Sequence, residues 1–306
     1  MRFSALLCVF VISMFTSTAQ VKMKKTVNGL LFTERSDSVL LYRNKLVSID
    51  GKFTRTHYIH PLWAPDGKIL TEDFPIDHPH HRGIFWAWHQ IVVNGKNICD
   101  GWELKNFSQK INDLQFRALK NGSAELKTEV EWASPNLKNE SGKLIPMIQE
   151  KTKIIIHPAV KNYRKIDFEI SLLALVENLS IGGSADEKGY SGFSARIKLP
   201  EDVVFKEVAG NVLPQNTAVV SPGYIDISGG MLKNGKPGGV VIVDFPENPG
   251  YPQPWILRAK NSMQNAAWPG NQLVQISTKE PLVLKYSLLV YSGEMKGKTI
   301  QKMLQH

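Results

Sequence analysis

The chain reads as an all-β protein, a large antiparallel β-sandwich, and three observations carry that reading. Short runs alternate apolar and polar residues, Gly and Pro punctuate the gaps between them, and a helical face is visible only at the C-terminus, over 298–305. Alternation with one wet face is the mark of an antiparallel sheet packed on one side only. Taken in order, strands are expected over 29–33, 38–42, 46–49, 84–88, 124–132, 149–157, 165–176, 195–198, 239–244 and 282–291. The clearest is Lys165-Ile166-Asp167-Phe168-Glu169-Ile170-Ser171-Leu172. Turn signals separate them, at Asn121-Gly122, Gly182-Gly183, Gly229-Gly230 and Pro237-Gly238-Gly239. Many short strands between such turns point to two packed sheets. The segment 177–192 is richer in turns and is expected to be a surface loop or a lid.

The first residues have a different character. Arg2, an apolar run over 6–15 and Ser17-Thr18-Ala19 match a secretory signal peptide, residues 1–19, cleaved after Ala19. The run falls short of the roughly 20 residues a bilayer span needs, and no second run follows, so no membrane span is expected. Export to the periplasm or beyond is the expected destination. Residues 20–306 are expected to form a single β-sandwich domain, because neither an internal repeat nor a low-complexity linker divides them. Cys8 falls within the leader, so Cys99 has no partner for a disulfide and the core must hold the fold. Thirty-seven Lys and Arg against 28 Asp and Glu give a net charge of +9, which favours an anionic partner. Nucleic acid is disfavoured, since no basic stripe with interleaved aromatics occurs. The sequence sets no oligomeric state.

Chemistry concentrates in one window. Of eight histidines, His57, His60, His78, His80 and His81 fall close together and His89 follows. Arg55, Tyr58, Trp63, Asp73, Asp77, Arg82, Trp86, Trp88 and Trp102 share the neighbourhood. Aromatic rings stack on sugar faces while imidazole and charged groups bond hydroxyls and carboxylates, so the composition suits a carbohydrate pocket. Pro79 removes a backbone donor from the run, which makes it a loop or an edge strand. A second group, Glu187, Tyr190, Ser191, Phe193 and Arg196, offers glycines for close backbone approach and a two-pronged cation. A third, Phe245 to Trp255 with Arg258, is a proline-stiffened loop displaying aromatics, suited either to a sugar platform or to covering a sheet edge.

Other chemistries find little support. No metal is expected, since the spacing matches no zinc signature; a divalent ion held by His78, His80 and either His60 or Asp77 is the alternative. No Gly-x-Ser-x-Gly elbow, phosphate loop or dinucleotide fingerprint occurs, so no cofactor is expected. Cys99 has no catalytic context.

The stretch from His60-Pro61-Leu62 through Thr71-Glu72-Asp73-Phe74-Pro75-Ile76-Asp77-His78-Pro79-His80-His81-Arg82-Gly83, with Trp86 following, resembles the PmoA-like family of exported bacterial proteins. The Gly-Phe-Ser-Ala-Arg segment ending at Arg196, the loop from Asn248-Pro249 to Trp255 and the closing strand from Leu284 to Gly293 are similar to its other landmarks. Phe193-Ser194-Ala195 stands where members more often carry a Gly-Leu pair before the Arg. The family borrows its label from a membrane methane monooxygenase subunit, an activity that a chain without transmembrane helices does not share. The resemblance implies a sandwich of the supersandwich, galactose-mutarotase-like or jelly-roll type, associated with polysaccharide breakdown.

The expectation is an enzyme acting on uronic-acid-containing oligosaccharides, a dehydratase or lyase that eliminates across C4 and C5. His78, His80, His81 and Tyr190 are the candidate acid–base groups. His60, Asp77, Arg82, Trp86, Trp88, Glu187, Arg196, Trp255 and Arg258 are the candidate binding groups, with Arg82 or Arg196 gripping the carboxylate. A glycoside hydrolase using Asp77, Glu187 or Glu247, or a non-catalytic sugar-binding protein, are the alternatives.

Overall fold

A computed structural model describes residues 20–260 and 262–304, so the expected signal peptide lies outside the described residues. Two nine-stranded antiparallel sheets dominate, and neither closes into a barrel. The first runs, edge to edge, through Val21–Thr26, Gly29–Glu34, Asp37–Arg43, Tyr58–Leu62, Ile84–Trp88, Ser191–Ala195, Gln264–Ala266, Pro254–Ile256 and Val219–Val220. The second runs through Ser108–Ala118, Ala124–Lys138, Leu144–Ile156, Tyr163–Ala174, Leu282–Ser292, Gly238–Asp244, Tyr224–Gly229, Val204–Glu207 and Gly210–Asn211. A four-stranded sheet and the ribbon of Val47–Ile49 with Lys52–Arg55 flank them, and Gly297–Leu304 is helical. No helix among the described residues is long and apolar enough to cross a membrane.

The second sheet is the local one. Its first four strands form a meander, and the alternation is as the sequence dictates: Ile166, Phe168, Ile170 and Leu172 are buried while Lys165, Asp167, Glu169 and Ser171 lie nearer solvent. The first sheet gathers distant segments, and the sequence misplaces part of it. The strand expected over 195–198 instead ends at Ala195, because the backbone of Arg196 is claimed by the loop beside it: Arg196 N donates to Gly83 O at 2.7 Å and Arg196 O accepts from Glu72 N at 3.0 Å. The segment 177–192 is not a free lid. Leu179–Gly182 is a strand paired on both sides, and Gly183 N donates to Gly270 O at 2.7 Å.

The core lies between the large sheets, where Phe32, Trp86, Trp88 and Phe193 of the first meet Val130, Trp132, Ile154, Phe168 and Tyr286 of the second. At its centre sits one carboxylate. Glu150 is fully buried and accepts from His57 Nε2 at 2.5 Å, Trp86 Nε1 at 2.8 Å, Trp132 Nε1 at 2.9 Å and Thr152 Oγ1 at 2.6 Å. Burial opposes its charge, yet His57 and the other donors hold its carboxyl below the usual range. Tyr42 completes the chain by bonding His57 Nδ1. Strand Ile84–Trp88 is buried on both faces. Ile84, Trp86 and Trp88 point inward, whereas Phe85 and Ala87 join Tyr58, Trp102 and Met263 in a second cluster on the outer face.

Candidate functional site

The histidine run is a loop, as Pro79 requires, and it is closed at its stem by a bridge between Asp73 and Arg82. Gly83 follows at φ +57°, and a Cβ there would fall 2.1 Å from Ile59 O, so only glycine lets the chain enter the sheet at this point. Within the loop His81 N donates to His78 O at 2.9 Å. This turn brings positions three apart onto one side, so the stacked pair is His78 and His81, with ring centroids 4.6 Å apart and planes 6° from parallel. The extended spacing expected for His78 and His80 is thereby replaced; His80 sits edge-on to His81, also at 4.6 Å.

Two buried arginines hold this loop, and both are paired with carboxylates. Arg82 donates through Nε to Asp73, through NH1 to Phe53 O at 2.8 Å and Val47 O at 3.2 Å, and through NH2 to the Tyr58 hydroxyl. Its guanidinium also lies 3.4 Å from the centroid of the Phe74 ring. Arg196 donates through Nε to Glu72 at 2.8 Å, through NH2 to both oxygens of Asp77 at 2.8 and 3.1 Å, and through NH1 to His81 Nδ1 at 3.0 Å. Neither is left to grip a substrate carboxylate, contrary to the expectation from sequence, because Arg82 is already paired with Asp73 and Arg196 with Glu72 and Asp77.

These contacts fix protonation states. An arginine only donates, so His81 Nδ1 accepts and the ring carries its proton on Nε2. Burial, then the neighbouring His80, His78 and Arg196, drive its pKa down to about 2. His80 is lowered to about 4, chiefly by burial. Asp77 is the reverse case: burial disfavours its charge, but hydrogen bonds from His78, at 2.8 Å, and Arg196 hold its carboxyl low.

Around the outer-face cluster, Trp102 is the hub. Its ring lies 6.2 Å from His81, 5.4 Å from His89 and 5.7 Å from Tyr190 between centroids. Tyr190 accepts from Arg258 Nε at 3.1 Å. His89 Nδ1 lies 2.8 Å from Asp100 Oδ2, and Asp100 is itself oriented by the Trp102 and Glu103 amides at 2.8 and 2.7 Å. Half-buried His89 and Tyr190 thus flank one indole, with Glu103 next to it in the chain, Arg258 bonded to Tyr190 and His80 against His81. A separate surface recess, lined by Glu34, Trp63, Tyr163 and Arg164 among others, contains no imidazole and is occupied in part by the Arg164–Glu34 pair at 2.5 Å.

The remaining expected binding groups scatter. Trp86, Trp88 and Trp255 are at most 2% exposed, and their indole N–H groups are spent on Glu150, Trp268 O and Ser221 O; none presents a face for a sugar. His60 bonds the Thr71 hydroxyl at 2.9 Å at the base of the loop, and burial lowers its pKa to about 4. Glu187 is exposed in the turn after Asp186. Gly189 and Gly192 approach the backbone of 266–271, so their closeness serves chain packing. The loop of Phe245 to Trp255 is stapled to the last long strand by Asn248, which exchanges bonds with Lys285 O and N at 2.6 Å each, so it is pinned against an interior strand and is not a free-standing platform. Arg258 is turned toward the Gln215, Asn216 and Leu257 carbonyls as well as Tyr190.

What sequence reasoning missed is the dyad His89–Asp100 with Trp102 and Glu103, and Arg55 beneath them. The Asp-Gly-Trp-Glu run at 100–103, an amide-capping turn holding an aromatic, was the available signal. Among the described residues, His89, Asp100 and Glu103 are the group whose ligand atoms lie within 4.8 Å of one another, close enough for a cation. They make no ready-made site: Asp100 is taken up by His89 and two amides, and Glu103 pairs with Lys105. The alternative ion site at His78 and His80 has no such spacing among the described residues. Cys99 is buried, and its thiol is pushed up to about 12.

No curated protein matches the chain. The profile of a family of unknown function, DUF6807, matches residues 33–305, which takes in every group around Trp102 and both large sheets except the edge strand Val21–Thr26 and most of Gly29–Glu34, and the chain belongs to that family.

Proposed function

We propose that the chain is an exported enzyme of polysaccharide breakdown that acts on uronic-acid-containing oligosaccharides, eliminating across C4 and C5 as a dehydratase or lyase. The likeness of the Asp77 to Gly83 run to the PmoA-like family belongs to the same reading. The observation that carries it is the gathering near Trp102 of His81 and His89 with the Tyr190 phenol, and of His80 against His81, His80 and His81 being held neutral by burial. Elimination needs a base to remove the C5 proton; the C–H electron pair becomes the C4=C5 double bond, the C4–O bond breaks, and the leaving oxygen takes a proton. His80, held neutral by burial, supplies the base. A substrate carboxylate nearby raises its basicity, since an opposite charge favours the imidazolium. Tyr190 has its oxygen engaged by Arg258, so its own hydrogen is free to be donated to the leaving group.

Hydrolysis by a carboxylate pair is less well supported, because Asp77 is neutralised by Arg196 and His78 while Glu187 and Glu247 stand exposed on separate loops. Incubation with uronate oligosaccharides decides between them. The expected product is an unsaturated uronate absorbing in the ultraviolet, and His80→Ala should lower kcat by about 10²- to 10⁴-fold. New reducing ends without that absorbance would refute elimination, and binding with no turnover would leave a sugar-binding protein.

A further inference from the structure

Arg55 differs from the other buried arginines in having no anion. Its side chain is 2% exposed, lies at the end of strand Lys52–Arg55 and rests 4.2 Å above the Phe85 ring on the outer face. NH2 donates to Gly101 O at 2.7 Å, which fixes the plane of the guanidinium. Nε has no partner, and no carboxylate oxygen lies within 4.0 Å of the group among the described residues. Arg82 and Arg196, at the same depth, have Asp73 and the pair Glu72 and Asp77. A buried charge is ordinarily paired, because the water it gives up must be replaced.

The surroundings place this cation in the candidate site. Its partner Gly101 adjoins Trp102, the Phe85 ring beneath it packs against Trp102 at 5.3 Å between centroids, and its field reaches His80, as do those of Glu103 and His89. The acidic groups facing it are already engaged: Asp100 by His89 and two amides, Glu103 by Lys105, Glu150 by its four donors. Burial, followed by the like charge of Arg82, lowers the Arg55 pKa to about 9, so the guanidinium remains protonated at neutral pH.

We infer that Arg55 is the anchor for the anionic group of the ligand, a sugar carboxylate in the setting proposed above, on which this inference rests. It takes the part that sequence reasoning gave to Arg82 or Arg196, which are occupied in holding the histidine loop. A carboxylate paired with Arg55 loses much of the charge that opposes removal of the neighbouring C5 proton. The planar guanidinium suits a two-oxygen anion, and an ammonium in its place would not reproduce that geometry.

The test uses the full chain with Arg55→Met, Arg55→Lys and, for comparison, Arg82→Met. Thermal unfolding without ligand comes first. A group kept for binding and not for folding should be dispensable, so Arg55→Met is expected to unfold at or above the wild-type temperature while Arg82→Met unfolds well below it. A fall for Arg55→Met matching that of Arg82→Met overturns the inference. Calorimetric titration follows, with a uronate disaccharide and its carboxyl-reduced neutral counterpart. The expected result is that Arg55→Met weakens uronate binding about 30-fold or more, Arg55→Lys less, and neither changes the neutral sugar. Equal uronate affinity in wild type and Arg55→Met overturns the inference and leaves the acid–base reading standing. A wild type that binds neither sugar removes that reading and the inference with it.

Discussion

Replacing Glu150 with glutamine is the sharpest test of how the sandwich supports its outer face. The carboxylate accepts four hydrogen bonds, three at Oε1 and one at Oε2, from side chains of both large sheets. An amide of the same shape has one accepting oxygen and one donating NH2. Pointed one way, the NH2 faces the Trp132 N–H; pointed the other, it faces Trp86, His57 and Thr152. At least one buried indole N–H is therefore orphaned, at about 1–3 kcal/mol. Removing the charge that His57 and the other donors were built around brings the loss to about 3–5 kcal/mol. With roughly 2–4 °C per kcal/mol for a domain near this size, Glu150→Gln should unfold about 6–20 °C below wild type. Differential scanning calorimetry reads the shift directly, and urea unfolding followed by tryptophan fluorescence gives the free energy at one temperature. A loss under about 1 kcal/mol would mean that these four bonds do not tie the sheets together.

Acid should weaken the fold over a defined window. His60 and His80 have folded pKa values lowered to about 4, and His81 to about 2, so between about pH 6.5 and pH 4 the unfolded chain binds protons that the folded one does not; stability falls as pH drops through that range, by about 2–4 kcal/mol per pH unit, and is flat above about pH 7. Urea midpoints that stay constant from pH 7 to pH 5 would contradict this. Arg196→Met strands Glu72, Asp77 and His81 Nδ1 without their donor and should cost about 3–5 kcal/mol by calorimetry, with Arg196→Lys recovering only part, because one ammonium cannot span three partners. Chelator should leave the unfolding temperature unchanged, and a drop of several degrees would make His89, Asp100 and Glu103 the first residues to mutate.

Much of the second sheet was legible because its strands are neighbours in sequence and keep one wet face, as 165–172 shows. In the first sheet 29–33, 38–42 and 84–88 were legible as strands but the facing of the last was not, since Ile84–Trp88 is apolar on both faces and period-two alternation cannot say which side Trp86 and Trp88 take. For the same reason Trp86, whose N–H satisfies a core carboxylate, and Trp88, whose N–H goes to Trp268 O, look in the sequence like sugar platforms. The histidine loop was visible from its composition and from Pro79, and it does converge with Tyr190 near Trp102. Charge pairing was not visible. Whether an arginine is free depends on partners such as Glu72 for Arg196, 124 positions apart, and only the folded chain shows that Arg82 and Arg196 are committed while Arg55 is not.

The anchoring of the imidazole loop leaves its crest free to vary. Its stem is locked by Arg82 and Arg196, whereas Ile76 at the crest is fully exposed, touching nothing that holds the fold. Substitutions at that crest should therefore cost almost no stability, so that a library confined to position 76 keeps its fold throughout and varies only the surface the loop presents.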